Sequence, residues 1–118
     1  MQMNGRREVP VSQQEAWNAL NDPEVLKACI PGCESLERDG QTGFRAVVRA
    51  AVGPVRARLK GRVELSEINE PVSYKLAFSG EGATGFARGE SEVRLEPSDD
   101  GSMTAICYTA QARIGGKL

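Results

Sequence analysis

Between residues 43 and 68 the chain alternates. Phe44, Ala46, Val48, Ala50 and Val52 share one parity, while Arg45 and Arg49 fall on the other. After Gly53-Pro54 the pattern restarts, with Val55, Ala57, Leu59, Gly61, Val63 and Leu65 opposing Arg56, Arg58, Lys60, Arg62 and Glu64. Successive strand side chains point to opposite faces, so a period of two over this length predicts two long strands, each with a dry and a wet face. Gly-Pro between them is a turn signal, because Pro holds φ and Gly accepts positive φ. The expectation is an antiparallel hairpin at the centre of a one-sided sheet. Its dry face needs a partner.

The flanking segments extend that sheet. Glu8 to Val11 predicts a short first strand. Ser12-Gln13-Gln14-Glu15 matches a capping box, in which the Ser hydroxyl and the Glu side chain satisfy free amides at a helix start. The helix that follows has Ala16, Trp17 and Leu20 as its apolar stripe. Asp22-Pro23 opens a second helix, with Val25, Leu26, Cys29 and Ile30 on one face and Pro31-Gly32 as its stop. Two helices this short cannot form a bundle and must lie on the sheet. Further strands are expected over Cys33 to Arg38, Ser73 to Gly80, Phe86 to Glu96 and Met103 to Ile114. Asp39-Gly40, Asn69-Glu70-Pro71 and Ser98-Asp99-Asp100-Gly101 supply turns. The expected order is one strand, two helices, then six antiparallel strands (β-α-α-β6).

Composition narrows the chemistry. A chain of 118 residues with a net charge of −1 is one domain, residues 1–118, with a single core. It has no histidine, which removes Ser-His and Cys-His nucleophile pairs and every His-ligated metal site. No apolar run is long enough to span a bilayer, and Met1 to Arg7 lacks the apolar core of a secretory signal. Three cysteines, an odd number, fit a reducing compartment, so a cytoplasmic location is expected.

Several segments, in order along the chain, resemble the carbon monoxide dehydrogenase G-subunit family of the START-like (SRPBCC) superfamily. They are Trp17 to Pro23, Cys29 to Glu34, Val52 to Ala57, Gly80-Glu81-Gly82 with Gly85 to Gly89, and Ile114-Gly115-Gly116-Lys117-Leu118. The resemblance implies an α+β helix-grip (START/Bet v 1-like) fold with a curved antiparallel sheet and a long C-terminal helix that the sheet grips. The chain stops at Leu118, where that helix would start, so the helix is expected to be missing or truncated. It also implies a non-catalytic accessory protein of a molybdenum CO dehydrogenase-type hydroxylase. Such a protein would bind a quinone or lipid, assist membrane recruitment or ligand delivery, and contact the inner membrane face peripherally. Alternatives are a ligand-free module that docks on the hydroxylase, and a small START-like hydrolase or cyclase.

The dry parity suits the first of these. It carries many small residues, among them Ala46, Gly61, Ala87, Gly89 and Ala112, and a concave sheet lined this way either admits a closely packed helix or leaves an apolar hollow. Trp17, Leu26, Ile30, Phe44, Val48, Leu59, Leu76, Phe78, Ala87 and Tyr108 are the expected lining, with the Tyr108 hydroxyl as a polar anchor. An uncovered dry face also predicts homo-oligomers. Other motifs carry less. Cys29 and Cys33 lack the companions of a closed zinc site and the spacing of a redox pair, so they are expected to be buried structural thiols. The basic stripe from Arg49 to Arg62 is expected to be a solvated face with cross-strand charge pairing, not a nucleic-acid site, because the overall charge is not basic. Glu81, Glu90 and Glu92 are crowded, but alternation sends Glu90 and Glu92 outward. The segment from Gly80 to Gly85 lacks the ending of a phosphate loop and is expected to be a mobile lip. No catalytic residue, metal or cofactor is expected.

Overall fold

A computed structural model describes residues 1–52, 55–83 and 85–116, with residues 50–52 and 55 described through their backbone alone. The expected Gly53-Pro54 turn and the last two residues, Lys117 and Leu118, lie outside the described residues. Along the chain come β1 (Gln2–Val9), α1 (Gln13–Leu20), α2 (Pro23–Cys29) and β2 (Cys33–Asp39). Then follow β3 (Gly43–Val52), β4 (Val55–Asn69), β5 (Ser73–Gly82), β6 (Gly85–Pro97) and β7 (Thr104–Gly116).

The caps behave as the sequence suggests. Glu15 N donates to Ser12 Oγ at 3.2 Å at the start of α1, and Glu24 N donates to Asp22 Oδ1 at 2.9 Å at the start of α2. Pro23 occupies the first turn of α2, where its missing N–H costs nothing.

The fold class needs correction. The chain is mostly a single seven-stranded antiparallel sheet, in the order β1-β7-β6-β5-β4-β3-β2, with only two short helices laid on it. An α+β domain in which a brief strand precedes a six-stranded sheet, the expected β-α-α-β6, does not describe it. The first strand is not a stub over Glu8 to Val11. It runs for 8 residues and pairs along its whole length with β7, from Gln2↔Gln111 to Val9↔Thr104. Backbone hydrogen bonding to a neighbour sets that pairing, and the Met1-Met3 alternation is the one apolar trace of it in the sequence. The sheet with its two helices is consistent with a helix-grip-like fold.

The strand boundaries beside the expected lip are also corrected. β5 continues to Gly82 and β6 begins at Gly85, and these two glycines pair across the turn. Thr84 lies outside the described residues.

Length decides how the layers meet. β4, with 15 residues at a rise of about 3.4 Å each, is about 50 Å long. The helices, of 8 and 7 residues, are only about 12 and 10 Å long. They cover one end of the dry face. Under them Trp17 and Ala16 pack with Phe44, Leu65, Tyr74, Val93 and Leu95 into the core. Among the described residues nothing covers the other end.

Candidate functional site

The dry face therefore has two halves. In the covered half the Trp17 and Tyr74 rings meet edge to face, with centroids 5.3 Å apart and planes at 86°. Trp17 and Phe44 are buried, so these two expected lining residues form a closed end and expose almost nothing. Burial without charge stabilisation raises the Tyr74 hydroxyl to a pKa of about 12. Leu26 and Leu76 are half-buried and pack against this core, while Ile30 lies exposed at its margin.

In the half without helices Val48, Leu59, Phe78 and Ala87 are half-buried; Tyr108, beside Val93 of the packed half, is 42% exposed. Register sets Val48 opposite Leu59, Phe78 opposite Gly89, and Gly61 between Ala46 and Gly80, whereas Tyr108 is opposite Gly5 and Val93, level with Tyr74 of the packed core. Ile114, opposite Ala87, is 67% exposed. Glycine is required at two of these places. A Cβ at Gly89 would collide with the Phe78 ring, and one at Gly5 would stand 2.6 Å from Tyr108 Cε1. Both aromatic rings thus lie flat on the backbone of the neighbouring strand. The result is an open apolar trough with a shallow floor.

Sequence reasoning missed Met3 and Gly5 of β1, which line the trough beside Ala110 and Tyr108. The Met1-Met3-Gly5 alternation was the available signal. It also missed Arg38, which shares the dry parity. Its guanidinium lies 4.9 Å from the Phe44 ring centre and donates to the Asn21 carbonyl, closing the rim between β2 and the end of α1.

Polar groups on the trough are few. Ser91 Oγ is engaged, donating to the Thr109 carbonyl at 2.8 Å. Glu90 and Glu92 point to the outer face, opposite Ala77 and Lys75. Glu81 stands opposite Lys60 on that same face. The pair of glutamates and Lys75, together with Met3, Leu76, Ser91 and Ala110 of the other parity, line an open depression of about 720 Å3. Among the described residues no cluster of metal-ligating side chains is present. The thiols are free, and Cys29 is exposed, not buried as expected. Its helix ends at the sheet margin, where the turn at Gly32 leads into β2, so nothing covers it. No helix among the described residues is long and apolar enough to cross a membrane.

The outer basic stripe is an exposed face with cross-strand charge pairing, as expected, but its acidic partners come from β2 and not from the strand directly opposite. Arg45 is directly opposite Arg62, and Arg49 directly opposite Arg58. Like charges so placed repel, and the relief comes from β2 and its bulge. Glu34 contacts Nε of both Arg49 and Arg58 at 3.3 Å, and Asp39 contacts Arg62 and, at 3.6 Å, Arg45.

Comparison with known proteins agrees with this geometry. The model of the family described as the carbon monoxide dehydrogenase G subunit (CoxG) matches residues 5–118. The crystal structure of a conserved protein from Geobacillus kaustophilus is 35% identical, with a TM-score of 0.90 over 99% of this chain and 76% of that one. A Rhizobium loti protein superposes with a TM-score of 0.70 at 17% identity, over 100% of this chain and 82% of that one. An aromatase/cyclase from Streptomyces does so with 0.66 at 15% identity, over 100% and 69%. At such identities the last two share the fold alone. Among curated proteins none matches the chain significantly.

Proposed function

The chain belongs to the carbon monoxide dehydrogenase G-subunit (CoxG) family, and on that premise we propose that it is a non-catalytic accessory protein of a molybdenum CO dehydrogenase-type hydroxylase that binds a lipophilic small molecule, a quinone or a lipid, in the open trough. The observation that carries this reading is the division of the dry face. One half is packed under the helices, with Tyr108 at its β1 side, while the other presents Leu59, Phe78 and Ile114 over a floor of glycine and alanine with no layer on it among the described residues. A flat apolar surface of this kind gains by removing a hydrophobic ligand from water. Trp17 and Phe44 form its closed end, Leu26, Ile30 and Leu76 its margin, and Val48, Leu59, Phe78 and Ala87 its wall. The Tyr108 hydroxyl is the polar anchor.

A catalytic reading finds little support. The sequence has no histidine, and the carboxylates near the trough point to the other face. Delivery of the ligand would take place in the cytoplasm, with peripheral contact at the inner membrane face.

The test is mass spectrometry of an organic extract from the purified protein, beside a sample denatured and washed. A stoichiometric quinone or lipid in the first, lost from a Leu59→Asp variant that still folds, is the expected result. An empty extract from the protein expressed together with its hydroxylase would sink the carrier reading.

A further inference from the structure

The outer face of the same bare end carries a second feature. Arg49 of β3 and Arg56, Arg58 and Lys60 of β4 project from it, all exposed. Arg49 and Arg58 face each other across the strands and share a single carboxylate, Glu34. Both reach it through Nε, a single-point contact that leaves the terminal nitrogens out of any fork-to-fork pairing. Arg56 has no ion-pair partner among the described residues, and Lys60 is opposite Val47 on one side and Glu81 on the other. At the opposite end of the stripe the balance differs, because Arg62 contacts both Asp39 and Glu64. Excess positive charge is therefore concentrated at the end where the trough is open.

Placing like charges directly opposite one another costs stability in a sheet. Here the arrangement holds guanidinium groups in a rigid row with side chains 59% and 68% exposed at Arg58 and Arg49. We infer that this row, Arg49, Arg56, Arg58 and Lys60, is a docking surface for an acidic patch on a protein partner, and that the partner is the hydroxylase itself. This rests on the accessory reading above and extends it by assigning the contact surface.

The chemistry favours a protein carboxylate patch over a polyphosphate. The row already binds a carboxylate, Glu34, and it is arginine-rich, as interface cores are. Nucleic-acid binders commonly neutralise about 6–10 phosphates, more than this short row can. A membrane surface would call for several apolar anchors beside the charges, and this face offers half-buried Val47 and one exposed ring, Phe86, over which Arg88 lies at 5.5 Å. Docking through the outer face leaves the trough unobstructed and brings its open end close to the partner.

The experiment is binding of the full chain to the purified hydroxylase holoenzyme of the same organism at low and high potassium chloride. Arg49→Glu with Arg58→Glu is expected to weaken binding by about tenfold or more, and Arg49→Gln with Arg58→Gln to weaken it less. Glu34→Gln removes the internal competitor and is expected to tighten binding severalfold, which a merely structural role would not do. Leu59→Asp should lose the ligand yet dock normally. Equal binding by the charge-reversed and parent chains, or no response to salt, overturns the inference and leaves the accessory reading standing. No binding of the parent chain overturns both. Equal loss by the charge variants on phosphatidylglycerol vesicles, with hydroxylase binding unchanged, assigns the row to a membrane and overturns it too.

Discussion

The ring of Tyr108 lies across Gly5 of the neighbouring strand, so close that a methyl group at Gly5 would stand 2.6 Å from Tyr108 Cε1. The wall of the trough is thus set by an absent side chain on the edge strand. Gly5→Ala should push the ring toward solvent. The lost ring contact is offset by the smaller backbone entropy of alanine in the unfolded chain, each about 0.5–1 kcal/mol. Expected, then, is a urea midpoint almost unchanged and faster nitration of Tyr108. An unchanged nitration rate would show that the ring does not depend on Gly5.

The two halves of the dry face should differ in how they answer truncation. Leu95 is 2% exposed in the core beneath α1, and Leu95→Ala should cost about 2–5 kcal/mol, with a red shift in Trp17 fluorescence. Leu59 lies half-buried in the bare half, and Leu59→Ala should cost no more than about 1–1.5 kcal/mol. Equal losses in urea titrations would contradict the division into packed and open halves.

Tyr74 makes stability depend on alkaline pH. Its folded pKa, about 12, lies above the unfolded value near 10, so the folded state holds the proton more tightly. The contribution is fully present below pH 10 and is lost as pH rises toward 12, about 2–3 kcal/mol in all. The difference in stability between the parent and Tyr74→Phe should therefore be constant to pH 10 and then shift in favour of Phe. A difference that stays level to pH 12 would refute this.

Asp100 gives the opposite dependence. Its Oδ1 accepts from Ser102 N at 3.0 Å, Ser102 Oγ at 2.7 Å and Ser98 Oγ at 2.9 Å, which holds the carboxyl at a pKa of about 2. The turn before β7 keeps this support above the ordinary carboxylate range and loses it as pH falls toward 2. NMR titration of Asp100 should place its midpoint well below the ordinary carboxylate value of 3.8; a midpoint at that value would refute it.

Exposed apolar surface in the trough should also drive self-association. Ile114 is 67% exposed and Met3 44%. Light scattering should report a mass that rises with concentration and falls back toward the monomer in Ile114→Glu. A monomer at every concentration would show that the trough does not pair with itself.

What could be read from the chain was local. Alternation at Phe44 to Leu65 marked strand and face, because a side chain's direction on a strand follows from its position alone. Ser12 and Asp22 announced their helices for a similar reason, since a cap bonds within its own turn. The absence of histidine bounded the chemistry before any fold was known. The tertiary structure decided the rest, because it depends on which distant backbones meet. Pairing with β7 made a full strand of Gln2–Val9 and put Gly5 under Tyr108. Register set Arg49 against Arg58, and a bulge in β2 delivered Glu34 to both. Two short helices on a sheet of about 50 Å cover only one end of it among the described residues, a consequence of relative lengths that appears only once the strands are assembled side by side.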